Sequence, residues 1–195
     1  LARAMAAALG GERPVSHLAQ DAYYRDRGDL PPAARAEVNY DAPEAFDAVL
    51  LHAHLAALRA GEPVCPPRYC FTTHRRLGEG PPLPPGEVVL VDGILVLHDP
   101  AVRSALDLKI FVDAPPAVRL ARRIARDTAE RGRTRASVIA QFTATVGAAH
   151  VAWVEPTKAL ADVIILNAGG PAAIAEIAAS AVRTHLRKRR ETQAA

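Results

Sequence analysis

Apolar and polar residues alternate along the chain in two rhythms. "PVSHLAQD" alternates at a period of two, and "EVVLVDG", "LDLKIFVDAPP" and "ADVIILNAGG" are short apolar runs. These read as strands. The stretches between them carry apolar residues at helical spacing. Leu1 to Leu9 read as a helix stopped by Gly10-Gly11. "DAPEAFDAVLLHAHLAALRAG" reads as a helix with Asp41 as its cap, Pro43 near its first turn and Gly61 as its stop. A helix starts at Pro115, a second runs from about Ala136 to Trp153, and a last one ends in the basic tail "RTHLRKRRE". Residues 62–86 are rich in proline and glycine and read as an extended hairpin excursion. No internal repeat is visible.

Strands alternating with helices of this length build βαβ units, so the expected class is α/β: a mostly parallel sheet flanked by helices, in one domain spanning 1–195. In such sheets ligands gather at the carboxyl ends of the strands. Asp21, Asp92 and Asp113 all fall at strand ends. Asp113 precedes two prolines and a helix, which suits a cap or turn. Asp92 follows "VVLV", an apolar strand closed by an acid, the pattern that holds magnesium in P-loop nucleotide enzymes. Asp21 adjoins "AYYRD", where aromatic and charged residues share a loop.

Composition narrows the setting. Half of the residues are apolar, which excludes a disordered chain. No apolar run is expected to reach a membrane span, and no secretory leader is visible. Cys65 and Cys70 form neither a disulfide framework nor a zinc site, so a reduced, cytoplasmic protein is expected. The net charge is +3, and the basic residues are nearly all arginine, with Lys109, Lys158 and Lys188 the exceptions. Against that background a single arginine says little and a constellation says more.

One constellation stands out. In "AVRLARRIARDTAERGRTR", Arg119, Arg122, Arg123 and Arg126 share one helix face. Like charges so spaced weaken a helix by a few tenths of a kcal/mol each, and Asp127 and Glu130 are the acids near enough to offset them. Arg131 and Arg133 follow around Gly132, where the chain can hinge. Planar, permanently charged donor forks on a hinge suit phosphate. Residues 122–135 are therefore expected to form a phosphate-binding lid. A nucleic-acid surface would carry interleaved aromatics and an unbroken basic stripe, and this helix has neither.

"QDAYYRD", "NYDAPEAFD", "PPRYCFTTHRR", "VVLVDGIL", "LKIFVDAP", "RRIARDTAERGR" and "KALADVIIL" occur in an order and at spacings that resemble the uridine kinases (uridine-cytidine kinases) over nearly the whole chain. The resemblance implies a P-loop kinase fold: a parallel sheet with flanking helices, a β-hairpin over the nucleoside and an arginine-rich lid. It implies transfer of the ATP γ-phosphoryl group to the 5′-hydroxyl of uridine or cytidine, with Mg2+, in pyrimidine salvage. It also implies a homo-oligomer, commonly a tetramer, and neither nucleic acid nor membrane as partner. Carried over residue by residue, it implies Asp21 as general base, Asp41 on the ribose hydroxyls, and Tyr69, Phe71 and His74 around the pyrimidine. It implies Arg123, Arg133 and Gln141 as further nucleoside contacts, Arg126 and Arg131 as phosphate contacts, and Asp92 on magnesium. Arg119 and Arg122 receive no role.

The chain departs from the family pattern at several points. Asp92 stands where the family has Glu, Cys70 where it has an acid between Tyr and Phe, and Val146 to Ala148 read "VGA" where it has "V(R/K)P". Its "IPRG" is "ILNAGG" here. No G-x-x-x-x-G-K-[ST] loop occurs among the 195 residues, and Leu1 opens within a helix of the kind that follows such a loop. The expectation is a kinase domain without its first strand and phosphate loop, inactive as this chain alone. The alternatives are a non-catalytic kinase-like protein that binds a nucleoside or a partner, and a phosphoribulokinase-type kinase.

Overall fold

The computed structural model describes residues 1–11, 13–167 and 170–194. Ala168 and Gly169 of the "ILNAGG" segment lie outside the described residues.

Helix α1 (Ala2–Gly10) leads into strand β1 (Val15–Ala19). A 3₁₀ turn (Gln20–Tyr23) and a short helix α2 (Pro32–Ala36) follow, then α3 (Ala48–Arg59). The excursion is a hairpin of β2 (Pro67–Cys70) and β3 (Arg75–Glu79), with Val64 bridged to Leu83 at its base. Strand β4 (Val88–Asp92), helix α4 (Pro100–Ser104), strand β5 (Ile110–Asp113) and helix α5 (Pro116–Glu130) come next. Helix α6 (Arg135–Gln141) continues through two π-helical segments as one helical run, Arg135–Leu160. Strand β6 (Val163–Leu166) and helix α7 (Pro171–Gln193) close the chain.

The strands fall where the hydrophobic pattern puts them, and the main differences lie in the helices. Asp47, not Asp41, caps α3: its carboxylate accepts the Leu50 backbone N–H at 3.2 Å. Such a cap contributes about 1 kcal/mol. Pro43–Ala45 forms a separate 3₁₀ turn, which frees Asp41 from capping. Leu51, Leu55 and Leu58, at i, i+4 and i+7, then fix the buried face of α3. Asp113 is no helix cap either, since Lys158 donates to it at 2.5 Å. Asp99 caps α4, an element the periodicity does not announce because it is only five residues long. The helix expected over Ala136 to Trp153 extends to Leu160. It also corrects the expectation on apolar runs: this run has an 18-residue window of mean hydropathy 1.3, of which 22% is buried, so by length and composition it passes for a membrane span. Core helices pass the same test, and Val138, Val146, Ala149 and Val154 turn inward.

Helices cover the strands on two faces. Leu18 and Val96 pack with Leu51 and Leu58 of α3 on one face. Met5 and Leu9 of α1 pack with Ile174, Ala175 and Ala178 of α7 on the other. A third cluster, Tyr24, Phe46, Leu95, Phe111 and Val154, lies at the carboxyl ends of the strands.

Among the described residues the parallel strands form two separate pairs. β1 pairs with β4, Val15 opposite Val88 and Ala19 opposite Asp92. β5 pairs with β6, Ile110 opposite Val163 and Asp113 opposite Leu166. Between β4 and β5 runs an apolar slot of about 640 Å³, lined by both strands, by Met5 and Ala178 from one face and by Leu55 and Leu58 from the other. Leu1 and Ala2, where α1 begins without a side-chain cap, also line it.

Candidate active site

At the end of β1 the chain turns sharply, and the turn carries Asp21. It is held from two sides. Gln20 Oε1 accepts the Leu95 backbone N–H at 2.9 Å inside the core. Gly93, at φ +157°, lies against the same side chain, and a Cβ there would come within 2.3 Å of Gln20. The glycine after Asp92 is thus needed for the close approach that joins the ends of β1 and β4. Deeper in, the Tyr23 hydroxyl bonds His54 Nδ1 at 2.9 Å.

Two acids dock the hairpin over this turn. Asp26 accepts from Arg75 Nε at 2.8 Å and from the Arg76 backbone at 3.2 Å. Asp47, with its second oxygen, accepts from both terminal nitrogens of Arg76 at 3.4 Å, while Arg76 also donates to the Tyr24 carbonyl at 3.0 Å. The hairpin tip is thereby fixed, and with it Tyr69, Phe71 and His74.

These elements enclose a cavity of about 310 Å³, at the small end of the range for ligand pockets. One end is aromatic. Tyr69 packs against Tyr24 with centroids 5.0 Å apart and edge-on to Phe71 at 5.4 Å. His74, in the left-handed region at φ +52°, stacks on Tyr40 at 4.4 Å and 12°. Burial and the nearby guanidiniums of Arg133, Arg35 and Arg131 push the His74 pKa down, so the imidazole is neutral at pH 7 and can both donate and accept. The Tyr69 hydroxyl is buried without a hydrogen bond of good geometry, although Tyr40 stands close enough to perturb it.

The other end is cationic. Arg126 and Arg131 face Asp21, whose pKa is raised by burial and by the carboxylates of Asp92 and Asp41, and pulled back by those two arginines. Arg131 also lies over the Phe71 ring, 4.3 Å from its centroid, so it joins the two ends. Arg123 donates to Asp41 at 3.4 Å and to Gln141 at 3.2 Å, and Arg133 donates to the same Gln141 oxygen at 2.5 Å. Asp41 is 8% exposed, and this network satisfies it.

Asp21, Asp41, Tyr69, Phe71, His74, Arg123, Arg126, Arg131, Arg133 and Gln141 therefore line one cavity, although they come from five separate stretches of chain. Asp92 does not line it. It sits at the end of β4, 45% exposed, with Oδ1 2.5 Å from His17 Nε2, and lines the slot instead. The sequence reading missed Tyr24, Tyr40 and Asp127, which also line the cavity. "AYYRD" beside a strand-end acid hinted at Tyr24, and Tyr40 directly precedes Asp41. Arg122, left without a role, donates to Asn167 at 3.1 Å. Among the described residues no three His, Cys, Asp or Glu side chains cluster as a metal cage.

The family model described as Phosphoribulokinase / Uridine kinase family matches residues 11–171. The chain belongs to this family. It is 46% identical over 174 residues to a uridine kinase of Deinococcus deserti, covering 89% of this chain and 84% of that protein. It is 41% identical over 178 residues to a uridine kinase of Alkaliphilus metalliredigens, covering 91% and 86%. In fold it is similar to the phosphoribulokinase of Rhodobacter spheroides, with a TM-score of 0.61 at 17% identity over 84% of this chain and 64% of that one. The likeness to this solved structure agrees with the order of strands and helices.

Proposed function

We propose that the cavity is the nucleoside site of a uridine/cytidine kinase, which transfers the ATP γ-phosphoryl group to a nucleoside 5′-hydroxyl. One observation carries this reading: a single 310 Å³ cavity joins a stacked aromatic end to an arginine-lined end, with carboxylates between them. The flat rings of Tyr69 and Phe71 and the neutral His74 suit a pyrimidine with a polar edge. Asp41, held by Arg123, suits ribose hydroxyls. The uridine kinase relatives support the same assignment.

In this reading Asp21 takes the proton of the 5′-hydroxyl as the new phosphorus–oxygen bond forms. Its raised pKa makes it a stronger acceptor than an ordinary aspartate. Arg126 and Arg131 face it from across the cavity, where they stabilise charge on the transferred group. The hinge at Gly132, at φ +64°, lets the 122–135 segment close over that group as a lid. A magnesium ion brought with ATP would screen the phosphate oxygens. Magnesium is usually held by one or two carboxylates plus phosphates and waters, so the absence of a cage among the described residues is no obstacle. The half-exposed Asp92, at the end of β4, is the carboxylate that would hold it.

Titration calorimetry with uridine, cytidine, adenosine and ribulose 5-phosphate tests the assignment. Binding of uridine or cytidine in preference to the other two is expected. Preference for the sugar phosphate would move the chain to the phosphoribulokinase side of its family.

A further inference from the structure

Four guanidiniums surround one carboxylate near the end of α5. Asp127 is 1% exposed. Arg126 Nε donates to its Oδ1 at 2.8 Å, and Arg131 Nη1 stands 3.5 Å from the same oxygen. Arg123 Nε and Arg133 Nη1 stand 3.6 and 3.7 Å from Oδ2, which makes no hydrogen bond. These two arginines are drawn to the carboxylate by charge without being locked by a bond. Outward, Arg123 donates from Nη1 to Asp41 and from Nη2 to Gln141, and Arg133 Nη1 itself donates to the same Gln141 oxygen. The backbone of the same residue bends the segment that follows. The Asp127 carbonyl accepts from the Arg131 and Arg133 N–H groups at 3.3 and 3.1 Å, folding "RGR" back across the helix end.

We propose that Asp127 is the positioning residue of the arginine cluster: it gathers Arg123, Arg126, Arg131 and Arg133 and keeps their donors aimed at a phosphate-bearing ligand in the cavity. This rests on the kinase reading above. Without a central anion, like charges at these spacings repel one another and splay apart. A lone buried carboxylate would be strongly unfavourable, so the burial of Asp127 makes sense only with its ring of cations in place.

A mere counter-charge and a positioning residue differ in sign. If Asp127 only neutralised charge, removing it would add positive potential and tighten anion binding. If it positions the arginines, removing it weakens anion binding despite the added charge. The test titrates pyrophosphate and, separately, uridine into the chain and into Asp127→Asn, with helix content followed by circular dichroism. The expected result is pyrophosphate binding weakened about tenfold, with uridine binding weakened by less, because of the four arginines only Arg123 also holds Asp41. Tighter or unchanged pyrophosphate binding in the variant overturns the proposal, as does a parent chain that binds no pyrophosphate. Failure of uridine to bind the parent would overturn the nucleoside assignment and leave the pyrophosphate comparison standing. If Asp127→Asn loses helicity, Asp127→Glu replaces it. The charge then stays and moves by one methylene, so positioning predicts weaker pyrophosphate binding and neutralisation predicts no change.

Discussion

The cavity lies at the strand ends beside the hairpin and the slot runs along β4 and β5, and they differ in how far their charges and strand edges are partnered. In the cavity nearly every charge has a partner: Arg123 meets Asp41, Arg133 meets Gln141, and Asp127 anchors four arginines. In the slot two strand edges face each other without a ladder bond among the described residues. Its walls are apolar on both faces of the sheet, as the walls around a central strand are. An unpaired edge in such a place leaves backbone N–H and C=O groups unmet, which is costly. The cavity's charges are held by side chains of this chain, whereas the slot leaves the facing edges of β4 and β5 unpaired among the described residues.

The largest effect expected breaks that comparison in a single step. Phosphoryl transfer is almost entirely positioning and charge stabilisation, and no G-x-x-x-x-G-K-[ST] cradle occurs in these 195 residues. Residues 1–195 should bind uridine and show no measurable phosphorylation of it. Joining a strand and such a loop ahead of Leu1 should give turnover and raise the melting temperature, because the strand pairs with β4 and β5. Turnover by the unextended chain would show that the reaction does not depend on such a loop.

The next effect lies within the cavity. Asp21→Asn removes the proton acceptor and keeps its size, so kcat of the extended chain should fall roughly 10²–10⁴-fold, with uridine affinity nearly kept. The variant should also be at least as stable as the parent at neutral pH. A carboxylate whose pKa is raised on folding makes a contribution that is lost as pH rises from its unfolded value through the folded one, and the amide escapes that loss. A kcat within a few-fold of the parent would leave Asp21 a structural residue.

How much of this was readable beforehand follows from the same contrast. The arginine face of α5, Tyr69 and Asp92 sit in regular elements, where spacing alone predicts shared orientation, while Asp21, Phe71 and His74 sit in turns directly beside strands. Tyr24 and Tyr40 do not. They reach the cavity through irregular segments, and their partners, Tyr69 and His74, are over thirty residues away. Asp127 was visible as an offset to its neighbours, but its burial depends on Arg131 and Arg133 folding back beyond the helix end. Asp41 and Asp47 are equally good caps by residue type, and Pro43–Ala45 forming its own turn decides between them. The slot does not follow from the hydrophobic pattern, since β4 and β5 read as ordinary buried strands.

A smaller effect sharpens the aromatic end. His74→Ala should raise the KM for uridine while leaving that for ATP within about twofold, since one polar contact and its partner are lost at roughly 1–3 kcal/mol. Equal changes for both substrates would detach His74 from the base.

The smallest expected effect concerns how the two ends of the cavity speak to each other. Burial raises the Asp21 pKa, and among the charges around it Arg131 is the leading opposing influence. Asp21 must be ionised to accept a proton, so kcat/KM of the extended chain should fall as pH drops through that raised pKa. The acid limb should therefore lie above the ordinary aspartate value of 3.8. Arg131→Gln removes the cation, so the carboxylate holds its proton to still higher pH, and the limb should move upward. Arg126→Gln should move it in the same direction by less, because Arg126 is the weaker influence. Both variants also lose a phosphate contact and lower the plateau of the profile. The position of the limb is separable from its height, so the profile distinguishes loss of a contact from a change in the base. An acid limb that stays in place in both variants would mean that another group governs the acid side of the reaction.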